Sequence, residues 1–376
     1  MTEAGCDGCA LRAAAIWILR IRDIPAVRYV PAARESYRIH IISHCEAIYR
    51  TKYIALRSSI SQSSDFCLIS FHSSFLIPHF PKPMPITYTS MSEYCRRAYG
   101  KKLYKLSLDG GFTCPTRDGS LGVRGCTFCS AAGSGEFTGR GADLNEQIED
   151  AKRRVAAKCT GDVGYIAYFQ SFTGTYAPAD RLKSVYLPVI ARPDIDVLSI
   201  ATRPDCLPED TLALLSALNE IKPVWVELGL QTSKPESVSY IRRGYENAVY
   251  TDAVRALRER GIYVITHIIL GLPGETPDDM EATLRFALAA GTDGVKFQLL
   301  HVLEGTDLAA DWRAGSFDTL SLEEYVDILA RLLKILPPEV AVHRLTGDGS
   351  KKDLLSPLWS AEKKKVLNAI RERLGR

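Results

Sequence analysis

The chain of 376 residues carries 47 Lys and Arg against 44 Asp and Glu, with 46% hydrophobic and 24% charged residues. That balance belongs to an ordinary globular protein with room for a sizeable core, and a net charge of +3 permits nucleic-acid binding without arguing for it. Ten cysteines are too dilute for a disulfide scaffold, and no apolar run approaches the length of a membrane span. The cysteine usage instead suits a metal or reactive-thiol site in a reducing, cytoplasmic setting.

Residues 1–90 stand apart. They hold ten Lys and Arg against six Asp and Glu, and four of the seven histidines. The stretch SSISQSSDFCLISFHSSFLIPHFPKPMPITYTS is Ser-rich, broken by prolines and without a sustained amphipathic period. Cys6 and Cys9 form a CxxC pair, which is half a zinc site. The Arg-rich, acid-poor composition loosely suits a transit peptide but lacks a clean amphipathic helix. The expectation is that 1–90 is disordered, or is an extension produced by a start codon assigned too early, and that the functional protein opens at Met91.

From Met91 a strand–helix rhythm begins. Predicted strands are KLYKLSL (102–108), YIAYFQ (165–170), DVLSIA (196–201), VWVELGL (224–230), YVITHIIL (263–270) and GVKFQLLHV (294–302). Helical patterns lie between them, several opened by Pro, Asp or Thr, and two closed by Gly261 and Gly291. Strands apolar on both faces imply a parallel sheet covered by helices. The predicted fold is therefore α/β: a partial (β/α)6 TIM-type barrel over 91–302, with a small C-terminal extension over 303–376 completing the substrate side.

Barrel chemistry gathers at the C-terminal ends of strands. Polar residues at those ends are Asp109, Gln170 to Thr175, Thr202 to Asp205, Glu227 with Gln231, Glu275 and His301. The first strand leads into CPTRDGSLGVRGCTFCSAAGSG, which holds Cys114, Cys126 and Cys129. Three thiolates on an iron–sulfur cubane leave one iron open to an external chelating ligand. Gly119, Gly122 and Gly125 let the loop wrap and allow backbone N–H groups to face cluster sulfurs. Two other readings stay open on these residues: zinc, with Cys95, Cys159, Cys206 or a histidine as fourth ligand, and a CxxC redox dithiol.

The series LSLDGGFTCPTRDG, GCTFCSAAGSGEF, YIAYFQSFTGTYAP, SIATRPDCLP, VWVELGLQT, HIILGLPGET, LLHVLEGT, SLEEYVD, HRLTGDG and DLLSPLWS resembles, in order, the YhcC-like branch of the radical S-adenosylmethionine (SAM) superfamily, relatives of the Elongator catalytic subunit. The resemblance covers about 91–376 and none of 1–90. It implies that Cys114, Cys126 and Cys129 hold a [4Fe–4S] cluster, with an eleven-residue first spacer in place of the superfamily's usual three. It implies SAM as cofactor, cleaved to a 5′-deoxyadenosyl radical, and an electron donor such as ferredoxin or flavodoxin. Phe128, Gln170, Ser171, Thr173, Arg203, Glu227, Gln231, Arg243, His267 and Leu272 are the expected cofactor contacts. Gln231 and Arg243 match cofactor-binding positions of the related coproporphyrinogen oxidases, Arg243 pairing with the SAM carboxylate, while the GLPG turn at Leu272 meets the adenine. Ala201 and His267 replace a Glu and an Asp of those relatives, so ribose recognition differs. Lys296, His301, His343, Arg344 and Asp348 are expected on the substrate side, the last three presented by a tight turn near the mouth. Kinship with Elongator implies wobble uridine of transfer RNA as substrate, through remodelling of 5-carboxymethylaminomethyluridine toward the aminomethyl form. A small-molecule or protein substrate, or a non-enzymatic iron–sulfur or zinc RNA-binding protein, are the alternatives.

Overall fold

The computed structural model describes residues 85–133, 135–139, 141, 143–347 and 349–375. The sequence readings on residues 1–84 lie outside these. The elements in chain order are α1 (Met91–Tyr99), β1 (Lys102–Leu108), α2 (Leu144–Val155), β2 (Val163–Phe169), α3 (Ala179–Ile190), β3 (Val197–Thr202), α4 (Glu209–Asn219), β4 (Val224–Gln231), α5 (Pro235–Tyr240) and α6 (Asn247–Glu259). There follow β5 (Tyr263–Leu270), α7 (Pro277–Ala290), β6 (Gly294–Leu299), β7 (Val302–Leu303), α8 (Asp307–Arg313), α9 (Leu322–Lys334), β8 (Ala341–Arg344), β9 (Leu354–Ser356) and α10 (Lys363–Arg373).

Seven of the described strands form one parallel sheet in the order β1-β2-β3-β4-β5-β6-β8, and β7 pairs antiparallel with β9. The six predicted strands are present. The seventh comes from the C-terminal segment, so the part read as an extension supplies a barrel strand. Contacts across the sheet show that it curls. Lys105 on β1 reaches Glu227 on β4, and Lys296 on β6 reaches the Tyr168 hydroxyl on β2 at 2.8 Å. Strands that far apart in a flat sheet could not touch.

The local sequence explains the outer shell. Ser90 caps α1 in a capping box with Glu93, Thr276 caps α7 with Asp279, and Ser321 caps α9 with Glu324. Outward strand residues such as Leu106, Phe169, Leu198, Val226 and Val264 meet the helices in one apolar cluster. The concave face is layered. Leu103, Ile166, Val197, Trp225 and Ile265 form a floor with Cys95, and Tyr94, Tyr99 and Tyr263 pack on it, so α1 plugs the N-terminal end of the strands. Residues 85–90 belong to the same packed unit. The Ile86 N–H donates to the Leu374 carbonyl at 3.1 Å, and the Val342 N–H donates to the Thr89 carbonyl at 2.8 Å.

Candidate active site

Two residues along each strand from the apolar floor, the inward positions become polar. β1 supplies Lys105, β2 Tyr168, β3 Ser199, β4 Glu227, β5 His267, β6 Lys296 and β8 Arg344. Glu227 is fully buried at the centre of this layer. Its carboxylate accepts from Lys105, from Lys296 Nζ at 2.8 Å, from His267 Nε2 at 2.7 Å and from Ser199 Oγ at 2.9 Å. Burial alone would raise the Glu227 carboxyl, but Lys105, Lys296 and His267 together outweigh it and hold the group well below the carboxylate range. Burial, reinforced by Lys296, pushes His267 down to about 4. His267 is therefore a neutral imidazole near pH 7, donating its Nε2 proton to Glu227.

Above this layer a cavity of about 250 Å³ opens at the C-terminal strand ends. The three cysteines line it on one side. Their loop is tied by its own backbone: the Arg117 N–H donates to the Cys114 carbonyl at 2.8 Å and the Cys129 N–H to the Cys126 carbonyl at 3.1 Å. The Arg117 guanidinium donates to the carbonyls of Cys129 and Ser130 at 3.0 and 2.6 Å. The Gly119 and Gly125 N–H groups bond the carbonyls of Gly122 and Thr116, so they close the loop on itself instead of facing sulfur. Gly133, at φ +54°, lies against the Phe172 ring, and any Cβ there would collide with it. Phe172, Gln231 and Arg242 take left-handed backbone angles of 54°, 66° and 55° without being glycine. All three border the cavity or the cysteine loop, where such strain characteristically collects.

The donor set fits a cluster. Burial pushes the Cys126 thiol up to about 12 and raises Cys129, so both keep their protons until iron displaces them. Among the described residues no three His, Cys, Asp or Glu side chains gather at the spacing of a single metal ion. A four-iron cluster is larger than an ion and takes thiolates that stand further apart. Of the proposed fourth zinc ligands, Cys95 is in the floor and Cys159 donates to the Val155 carbonyl at 3.4 Å, while Cys206 packs beside Asp205 within electrostatic reach of Cys114.

Of the expected cofactor contacts, Phe128, Gln170, Thr173, Arg203, Glu227, Gln231, Arg243 and His267 all line the cavity. Ser171 is buried behind it, and Leu272 packs in a separate apolar cluster with Ile241 and Leu300. Arg243 does not offer the carboxylate pairing expected of it. Its five N–H donors are used by the carbonyls of Leu230, Thr232 and Tyr245 and by Asn247 Oδ1, at 2.8 to 3.1 Å. It is a strut joining β4 to α6, stacked 4.4 Å from the Tyr245 ring centre. Arg203 grips Asp205 through two prongs, at 2.9 and 2.7 Å, and its guanidinium lies 5.0 Å from the Tyr245 ring centre.

Lys296, His301 and Arg344 of the expected substrate side also line the cavity. His343 does not reach it. A register shift between Val295 and Lys296 pairs Arg344 with Lys296 and leaves His343 as the extra residue. Its ring packs over Gly294, where a Cβ would stand 2.7 Å away, and edge-on to Trp225 at 5.3 Å. It thus joins the floor. Asp348 lies outside the described residues, and the flanking Gly347 and Gly349 rest against the His301 ring. Sequence reasoning missed Lys105, Tyr168, Ser199, Tyr245 and Gln298. Tyr168 and Ser199 carried a legible signal, each a polar residue at an inward position of a largely apolar strand; Lys105 did not, because β1 also carries Lys102 and Ser107.

A half-barrel with three thiols at its C-terminal mouth defines a class, and the comparisons place the chain in it. Residues 122–287 match the Radical SAM superfamily and residues 292–376 the Radical SAM C-terminal domain. The Bacillus subtilis protein YtqA is 44% identical over 288 residues, covering 76% of this chain and 89% of that one. The Escherichia coli protein YhcC is 38% identical over 265 residues, covering 70% and 84%. A Methanocaldococcus jannaschii tRNA uridine(34) acetyltransferase is 29% identical over 157 residues, covering 40% of this chain and 28% of that one. The chain is a radical SAM enzyme. Within that superfamily it belongs to the YhcC-like family, with a [4Fe–4S] cluster and SAM as its cofactors.

Proposed function

We propose that this enzyme acts on the wobble uridine of transfer RNA, remodelling a 5-carboxymethylaminomethyl side chain toward the aminomethyl form. The observation that carries the reading is the similarity to a tRNA uridine(34) acetyltransferase.

Cys114, Cys126 and Cys129 would hold the cluster, and when bound it supplies the electron that cleaves SAM to a carbon radical. The chain's own residues bind and shield. Gln170, Thr173, Arg203 and Gln231 offer polar groups on the cavity wall above the Glu227 layer, and Phe128 shields the cysteine side. Tyr245, whose hydroxyl donates to the Gly229 carbonyl, braces the wall beside Arg203 and Arg243. Lys296, His301 and Arg344 face the substrate. The apolar floor below keeps water from entering behind it.

The exposed Leu121 and Val123 on the cysteine loop, next to Arg124, suit docking of an acidic electron donor such as ferredoxin or flavodoxin. The reading places the enzyme in the reducing cytoplasm, and no helix among the described residues is long and apolar enough to cross a membrane. The test is mass spectrometry of transfer-RNA nucleosides from a strain lacking the gene. The unprocessed wobble uridine should accumulate and disappear on complementation. Unchanged nucleosides, while the purified reconstituted enzyme still forms 5′-deoxyadenosine, would redirect the search to a small-molecule or protein substrate.

A further inference from the structure

The polar layer beneath the cavity does not balance its charge. Lys105, Lys296 and Arg344 are three basic groups, and among the described residues Glu227 is the one carboxylate placed among them. Burial, with Lys105 and Arg344 nearby, holds the Lys296 ammonium well below its ordinary range against the pull of Glu227, so a second anion beside it would favour its charged form. His267 is neutral, and the Tyr168 hydroxyl, which accepts from Lys296 and bonds the Glu227 carboxylate, adds no charge. The Lys296 side chain is 3% exposed and that of Lys105 17%, so neither is bathed by water. Arg344 is the register partner of Lys296 and makes one long side-chain bond, to Gln298 at 3.4 Å. A guanidinium and an ammonium side by side repel unless an anion stands between them. Both line the cavity. Lys296 spends two of its three donors on Glu227 and Tyr168, which leaves one for a ligand.

We propose that Lys296 and Arg344 form a subsite for a carboxylate of the substrate, with Glu227 and Lys105 fixing Lys296 in place. A carboxylate is planar and accepts two parallel bonds from a guanidinium fork, while an adjacent ammonium adds a point charge. The subsite deepens the reading above and rests on it only for the choice of nucleoside probe. It names the side-chain end that the enzyme grips: the carboxymethyl group, held at the bottom of the cavity, with the rest of the substituent rising toward the cysteines.

The test is equilibrium binding to the cluster-reconstituted full chain, in two matched pairs. One pair is 5-carboxymethylaminomethyluridine and its neutral carboxamide. The other is N-benzylglycine and N-benzylglycinamide, which carry no nucleoside. Each acid should bind roughly tenfold or more tightly than its amide, and Arg344→Gln and Lys296→Met should each bring that preference close to unity. Unaltered iron content in the variants shows that they fold. Preference for N-benzylglycine with no gain from the nucleoside supports the subsite and counts against the uridine reading. Equal binding of acid and amide overturns the subsite and leaves the uridine reading standing. A preference that survives both substitutions overturns it too, as does failure of every acid to bind at millimolar concentration. Displacement of N-benzylglycine by inorganic phosphate at lower concentration than by the acid itself would reassign the site to a phosphate group.

Discussion

Replacing Glu227 by alanine removes the acceptor for four donors at once: Lys105, Lys296, His267 and Ser199. Lys105 is 17% exposed and can swing its long side chain toward water, so its share of the loss is small. Lys296 is 3% exposed and has nowhere to go. It must stay charged and unpaired or give up its proton. Breaking a buried pair by removing one partner costs about 3–5 kcal/mol, and the freedom of Lys105 puts this case near the lower end. With a urea dependence of about 3 kcal/mol per molar for a chain of this size, the midpoint should fall by about 1 M. The assay is urea unfolding of cluster-free protein, so that iron loss does not enter the transition. A double variant, Glu227→Leu with Lys296→Met, should recover most of the loss, because it removes both charges and fills the space. A fall of less than about 1 kcal/mol in the single variant, or no recovery in the double one, would refute the view that this pair is closed off from solvent.

Three further outcomes follow from the same geometry. Cys126→Ala should abolish both bound iron and 5′-deoxyadenosine formation while circular dichroism stays near wild type, because the barrel has its own core; Cys159→Ala should leave iron unchanged, and a loss would make Cys159 a ligand. His267 is held at about 4 against an ordinary 6.5, so the unfolded chain binds the extra proton. Stability should therefore fall as pH drops from 6.5 to 4, by up to about 3 kcal/mol, and His267→Gln should flatten that part of the profile. Gly133→Ala places a Cβ into the Phe172 ring at a left-handed backbone angle, so iron retention after gel filtration should drop even though no ligand is altered.

Much of the barrel was legible because parallel strands covered on both faces read as short apolar runs between helices. KLYKLSL and YVITHIIL match their observed strands end to end. β8 was not legible: AVHR is four residues long and carries no period of its own. Its place was decided by the free edge of β6. The same shortness misled the reading of His343, since a register shift turned its side chain to the floor while its neighbour Arg344 faced the cavity. The three cysteines were legible from spacing and position after β1. Arg243 was legible as an important arginine but not as a strut, because its partners are backbone carbonyls that sequence does not display. Most of the polar layer was visible residue by residue. What no single strand reveals is that curling brings Lys105, Glu227 and Lys296 to one point.

The order of synthesis gives the seventh strand another meaning. Until residues 341–344 leave the ribosome, the outer edge of β6 carries backbone donors and acceptors with no neighbouring strand, and the first described segment lacks Val342 and Leu374 to bind. Earlier strands can associate as they emerge, but the longest-range pairings, 86 with 374 and 89 with 342, come last. The cell must therefore keep the emerging iron–sulfur protein from sticking to its neighbours until the seventh strand is made. A nonsense codon between β6 and β8 should yield an insoluble product, even though all three cluster cysteines have already been translated.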